Sequence, residues 1–486
     1  MSIQGLAVRP GWPARQRQSR SRLGVRARRH LMEARQIGGL AAPIMAAGGL
    51  NVAISLTDTA MMAALDPRAL AGGAVVSDLY SLTFYAATGV LAAVTPLAAA
   101  AIGAGDAKRV GVIVAHAVAL LGALALAGYW LVANSVDLLL GYGISIPRSA
   151  DAARYAGYMG LAFCFMLIFA LGRSTLAALG RGRPPMFILA FAVPLNAVGN
   201  YVLMYGAFGA PEMGLAGAGA SSLVVAVFAA TATIGYAVVS PVARSCDFAS
   251  GFARFDPRLV VQIAKIGLMI AAASVAETGV FLSSTLVVAI VAPEALPAHA
   301  LVFRALGLSY STIVGLGQAV TVRVAYAWGA GARHREELAR RTGEVMALLL
   351  AGSFLVTFWM LGPVLAVALA GEAPDASTVA AQAMVLLPYS GLALAALTLG
   401  ATSTAIMRGR AEVTMPAALT LAGYWLVGFT TILVATQVAD RGAEGVWIGL
   451  VAGSIAAAAA SWAYRNRRER ASRAVERKLA PAPLEA

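Results

Sequence analysis

Long apolar runs follow one another along this chain, each closed by charged residues or by glycine and proline. About 20 apolar residues cross the hydrocarbon core of a bilayer as a helix. The pattern predicts six such spans at 36–64, 70–101, 109–134, 155–178, 185–207 and 214–239. Six more follow at 259–292, 296–328, 343–369, 379–406, 413–437 and 443–464. The expected fold class is therefore an all-α membrane protein, with twelve transmembrane helices in two pseudo-symmetric six-helix bundles.

The halves are related in sequence. Displacing residues 69–105 by 226 positions, without a gap, puts Gly89 on Gly315 and Ala93-Val94-Thr95 on Ala319-Val320-Thr321. It also puts Gly103-Ala104-Gly105 on Gly329-Ala330-Gly331. Six spans separate the copies, so both halves enter the membrane in the same sense, and parallel repeats of this kind place a substrate cleft on the axis between them. The expected organisation is a basic, disordered cytoplasmic tail at 1–34, an N-lobe at 35–240 and a cytoplasmic linker at 241–258. A C-lobe at 259–465 and a second basic cytoplasmic tail at 466–486 complete it. Met32 offers an alternative start.

Composition narrows the class. The chain is 59% hydrophobic and only 12% charged, with a mean hydropathy of +0.76; a soluble domain carries about 25% charged residues. A net charge of +14 raises nucleic acid as a partner, but much of it sits in two tails, Arg9 to Arg29 and Arg465 to Lys478. The even-numbered loops are also rich in arginine and the odd-numbered ones poor, which places both termini in the cytoplasm of a multi-pass inner-membrane protein. No nucleic acid is expected; the lipid bilayer is the partner, around a monomer. Two cysteines and four dispersed histidines offer neither a disulfide framework nor metal-ligand spacing, so neither cofactor nor metal is expected. HExxH, P-loop and GxSxG motifs are absent, so no enzyme activity is expected.

Four stretches carry a family resemblance: Asp58-Thr59-Ala60-Met61-Met62; Thr95-Pro96 through Gly103-Ala104-Gly105-Asp106; Pro194-Leu195-Asn196-Ala197-Val198-Gly199-Asn200-Tyr201; and Glu277. In this order and topology the chain resembles the multidrug and toxic compound extrusion (MATE) family of the MOP superfamily, most closely its NorM branch, over about 35–465. The resemblance implies a secondary antiporter that expels cationic or amphipathic small molecules in exchange for inward-moving H⁺ or Na⁺.

Ionisable groups at mid-bilayer cost about 2.5–3.5 kcal/mol on insertion scales, so those kept there line a cavity or have a partner. Asp58, Asp78, Glu277 and Arg304 are the candidates. Glu277 follows Lys265 by roughly 18 Å of helix, which puts it near the middle of the membrane. It is read either as a carboxyl exchanging a proton for a cationic substrate or as a protonated group bonded to a neighbouring helix. The resemblance assigns Asp58 to the family's helix-1 acid, working with Asn196 and Asn200, which share one helix face; interhelical glue is the other reading of that pair. Pro194 is expected to bend their helix. Asp78 and Arg304 correspond at the 226-residue displacement and are expected to form an inter-lobe gate at the extracellular side, or else to pair within their own lobes or face water. NorM-type proteins carry a further Asp and Tyr on span 10, where this chain has Leu397 and Ala393. Na⁺ prefers hard oxygen ligands, so H⁺ coupling is favoured and Na⁺ stays open. A lipid-linked oligosaccharide flippase of the same superfamily and a major-facilitator-type transporter are the alternatives.

Overall fold

The computed structural model describes residues 22–65, 67–141, 150–253, 255–371 and 376–479. Twelve of its helices are long and apolar enough to cross a membrane. The N-lobe contributes α1 (Ala27–Leu65), α2 (Gly72–Gly103), α3 (Ala107–Ala133), α4 (Asp151–Ala178), α5 (Arg183–Tyr205) and α6 (Leu215–Val239). The C-lobe contributes α7 (Pro257–Val291), α8 (Pro293–Gly329), α9 (Arg333–Met360), α10 (Ala376–Gly409), α11 (Thr414–Gln437) and α12 (Gly442–Ser472).

Departures from the expected spans have local causes. The helix carrying α1 starts at Arg22, so residues 22–34 are ordered helix rather than the disordered tail expected there; residues 1–21 lie outside the described residues. α9 begins at Arg333, well before the expected 343, because its polar start is stapled along one face. Glu337 pairs with Arg340 and Arg341, and Arg340 with Glu344, at helical spacings. Its far end stops at Met360 and a separate helix, Gly362–Ala370, begins with proline in its first turn. α2 breaks at Ala92-Ala93. Pro96 has no N–H and its ring crowds the carbonyl four residues back, so the break falls where proline dictates. α5, by contrast, remains one helix through Pro194.

The 226-residue displacement appears in space as a two-fold relation between the lobes. A Cβ at Gly103 of α2 would collide with the Tyr326 carbonyl of α8, and a Cβ at Gly329 of α8 with the Ala100 carbonyl of α2. Gly89 likewise meets Ala271 of α7, while Gly315 meets Met45 of α1. Each contact is the displaced copy of the other, and backbones this close admit only glycine. Thr95 Oγ1 donates to the Ser174 carbonyl of α4, and its counterpart Thr321 Oγ1 to the Ala405 carbonyl of α10. The glycine contacts run from the middle of these helices to the ends nearer the two termini.

The linker is folded. A short helix at Phe248–Phe252 packs on the start of α3, where Gly111 and Gly251 let the backbones meet, and another at Pro241–Arg244 packs on α6. His116 on α3, fully buried, donates from Nδ1 to the Val112 carbonyl at 2.6 Å. Its Nε2 accepts the Asp256 N–H at 2.7 Å, and its ring stacks on Phe255.

Candidate functional site

Three of the expected residues come together in the N-lobe. Asn196 and Asn200, one turn apart on α5 and fully buried, both point at α1. Each donates from Nδ2 to the same Asp58 oxygen, Oδ1, at 2.9 and 2.7 Å. Their own carboxamide oxygens are buried without a hydrogen-bond partner. The face is held in place by α6, whose Ser221 hydroxyl donates to the Asn196 carbonyl at 3.2 Å and packs on Gly199. The Tyr205 hydroxyl ties the end of α5 to the Met61 carbonyl of α1 at 3.0 Å. Tyr80 and Tyr155 lie close enough to Asp58 to act on it electrostatically. The constellation thus holds one carboxylate, two donors directed at it and two acceptors left over.

Glu277 lies in the other lobe, on α7. Tyr310 of α8 is its hydrogen-bonding neighbour, and Arg408 of α10 acts on it as a longer-range positive charge. Tyr424 of α11 is also close. Leu397 and Ala393 are buried in α10. Two aromatic residues near these sites pack within their lobes: Phe281 on Phe303 and Tyr424, Phe84 on Tyr80 and Phe163.

Asp78 and Arg304 are not brought together. Both are exposed and neither forms an ion pair among the described residues. They lie on the halves of α2 and α8 farther from the termini, beyond the glycine contacts where the lobes meet.

A family model described as MatE matches residues 43–202 and 270–434, one stretch in each lobe. The chain belongs to the MatE family. The resemblance seen in the four sequence stretches is thereby borne out. The chain is 31% identical to a probable multidrug resistance protein NorM of Bradyrhizobium diazoefficiens, over 85% of this chain and 89% of that one. It is 32% identical to the corresponding protein of Pseudomonas aeruginosa, over 88% of each. In fold it is similar to a solved structure described as the outward-facing conformation of a multidrug resistance MATE family transporter of the MOP superfamily. That match has a TM-score of 0.81 at 18% identity, covering 90% of this chain and 96% of that one.

Several polar residues of this MatE member escape a reading of the sequence. Arg408, which its sequence neighbourhood places among the loop cations, belongs to α10 and faces Glu277 electrostatically. Arg173, inside α4, buries its Nε without a partner. Arg323, inside α8, reaches across to Glu33 of α1. Arg173 and Arg323 are charges within apolar runs, which is the signal that finds them; Arg408, two residues before Arg410, has no such signal. α11 is wound as a π-helix from Ala422 to Phe429, and Trp425 there donates from Nε1 to the Ala276 carbonyl, next to Glu277, at 3.0 Å. π-helical turns concentrate at functional sites. Gly423 and Gly428, packed on Ala457 and Gly453 of α12, are its trace in the sequence.

Proposed function

We propose that this chain is a cation-coupled antiporter, H⁺ favoured, that exports cationic or amphipathic small molecules of the kind implied by its multidrug resistance relatives. Alternating access between the two lobes carries the substrate across. The observation that carries this reading is the Asp58–Asn196–Asn200 constellation. An ionised Asp58 accepts from both Nδ2 groups, as it does here. A protonated Asp58 becomes a donor, and the unpartnered Asn196 and Asn200 oxygens are the acceptors beside it. The amide pair therefore suits both protonation states without adding charge of its own.

Glu277 supplies the second carboxyl. A proton and a cationic substrate compete for such a group, and that competition is the exchange cycle in its simplest form. The state described is read as outward-open: the lobes meet in the half nearer the termini, and Asp78 and Arg304 stay apart in the other half. Na⁺ remains a second reading because the same two asparagine oxygens and the carboxylate are hard ligands. The deciding experiment is drug-driven cation movement in proteoliposomes, with wild type compared against Asp58→Asn and Glu277→Gln, in sodium and in choline medium. The proposal expects H⁺ movement in both media from wild type and loss in each variant; transport unaffected by both substitutions overturns it.

A further inference from the structure

The two-fold relation between the lobes creates two equivalent seams on the side of the membrane that carries the termini, and they are closed differently. At one seam α1 meets α8, and Glu33 binds Arg323 through both guanidinium arms. The 226-residue displacement carries Glu33 to Leu259 of α7 and Arg323 to Leu97 of α2, while Gln36-Ile37 recurs as Gln262-Ile263. At this second seam no ion pair fills the space among the described residues. A cavity of ≈ 440 Å³ lies there instead, walled by Leu97, Leu259 and Gln262 and floored by the crossing of Ala100 with Gly329. Its rim carries Arg109 from α3 and Trp328 from α8.

We propose that this second seam is a binding site for an anionic phospholipid of the leaflet facing the termini. Apart from Gln262 the walls are small or aliphatic and suit an acyl chain, and the volume falls in the range of small-ligand sites, about 300–1,000 Å³. Arg109 is exposed and makes no side-chain ion pair among the described residues; Gln262 adds a neutral donor one turn inside the start of α7. Arg258 and Lys265 share the Gln262 face of α7, at spacings of four and three residues, and both are exposed. The nearby acids are engaged in capping: Asp106 accepts the Arg109 N–H at 3.0 Å and Asp256 the Arg258 N–H at 2.9 Å. Both carboxylates keep their charge while capping, but Arg109, Arg258 and Lys265 outnumber them, so the rim is net positive. Trp328 is half-exposed at the end of α8, the level at which indoles sit at a membrane interface. Basic pockets between transmembrane helices on one leaflet are where anionic headgroups bind. The lipid takes the structural place that Glu33 and Arg323 hold at the other seam.

Native mass spectrometry of the purified full chain tests this, with phosphatidylglycerol or phosphatidylcholine titrated into the detergent. The wild type is expected to retain phosphatidylglycerol at least several-fold more than phosphatidylcholine. Arg109→Gln should remove that preference, and Ala104→Trp, which fills the mouth of the cavity, should remove retention itself. Arg335→Gln, at the position displaced by 226 from Arg109, should behave as wild type. Equal retention of the two lipids, retention unchanged in Ala104→Trp, an equal loss in Arg335→Gln, or full displacement by inorganic phosphate would each overturn the proposal.

Discussion

Glu33 of α1 and Arg323 of α8 form a two-armed ion pair across the lobes, with both N–O distances 2.8 Å. Glu33 is 7% exposed at its side chain and Arg323 26%. Beside it, His30 Nδ1 stands 2.8 Å from the Thr342 hydroxyl of α9, and Arg29 donates to His334 at 3.3 Å. The helical extension before the first span therefore straps one lobe to the other. Any motion that parts the lobes on this side must break the pair.

Removing one partner leaves an uncompensated charge, at a cost on the order of 3 kcal/mol, the low end for buried pairs because Arg323 keeps partial exposure. Glu33→Gln and Arg323→Gln should each lower the melting temperature and raise the labelling of cysteines placed on this face. The double variant Glu33→Leu/Arg323→Leu copies what the second seam already has in Leu259 and Leu97. It should recover most of the lost stability, since apolar replacement of a buried pair is often neutral. A double variant as unstable as the sum of the singles would contradict the equivalence of the two seams.

Asp58 and its asparagines allow a separation of folding from coupling. Asp58→Asn keeps an acceptor for the two Nδ2 groups and should melt close to wild type, while drug-driven proton movement falls to that of empty liposomes. Asn200→Leu removes a donor to Asp58 and should cost about 1–3 kcal/mol in thermal unfolding as well as activity. Asp58→Asn retaining proton movement would remove the constellation from the mechanism.

Which features the sequence discloses follows from their range. Span positions follow from local hydropathy, and the Asn196–Asn200 face from a spacing of four on one helix. The 226-residue displacement anticipates the paired glycine contacts because repetition makes one fold of both halves. Glu33 and Arg323, by contrast, are nearly three hundred residues apart, and their displaced copies are leucines, so no repeat or spacing points to the pair. His116 reads as one of four scattered histidines until the linker folds back onto α3. The π-helical winding of α11 likewise depends on how closely Gly423 and Gly428 let α12 approach.

Asp78 and Arg304 are exposed on opposite lobes, and we propose that they form a gate only in the state in which that mouth is shut. Asp78→Asn and Arg304→Gln should each shift the balance toward the open state by on the order of 1 kcal/mol, about fivefold in population. Cysteine accessibility at that mouth measures the shift. The exchange of charges, Asp78→Arg with Arg304→Asp, should restore wild-type accessibility. Unchanged accessibility in both single variants would dismiss the gate.

The linker gives a prediction about thiol chemistry. Cys246 lies outside the spans, between α6 and α7, fully buried where Gly111 receives its carbonyl. Burial pushes its thiol from 9.0 up to about 11. Thiolate is the reactive form, and at pH 8 only on the order of one such thiol in a thousand is ionised. Maleimide should therefore label Cys246 slowly at pH 8 and faster as the pH rises toward 11. His116→Ala removes the acceptor of the Asp256 N–H and the stacking on Phe255, a loss of about 1–3 kcal/mol if the N–H stays buried. With its tether gone the linker should lift from α3, so Cys246 should label at pH 8 at a rate approaching that of the unfolded chain, and protease should cut within 241–256. A His116→Ala protein that keeps Cys246 as unreactive as wild type would show that the glycine contacts alone hold the linker down.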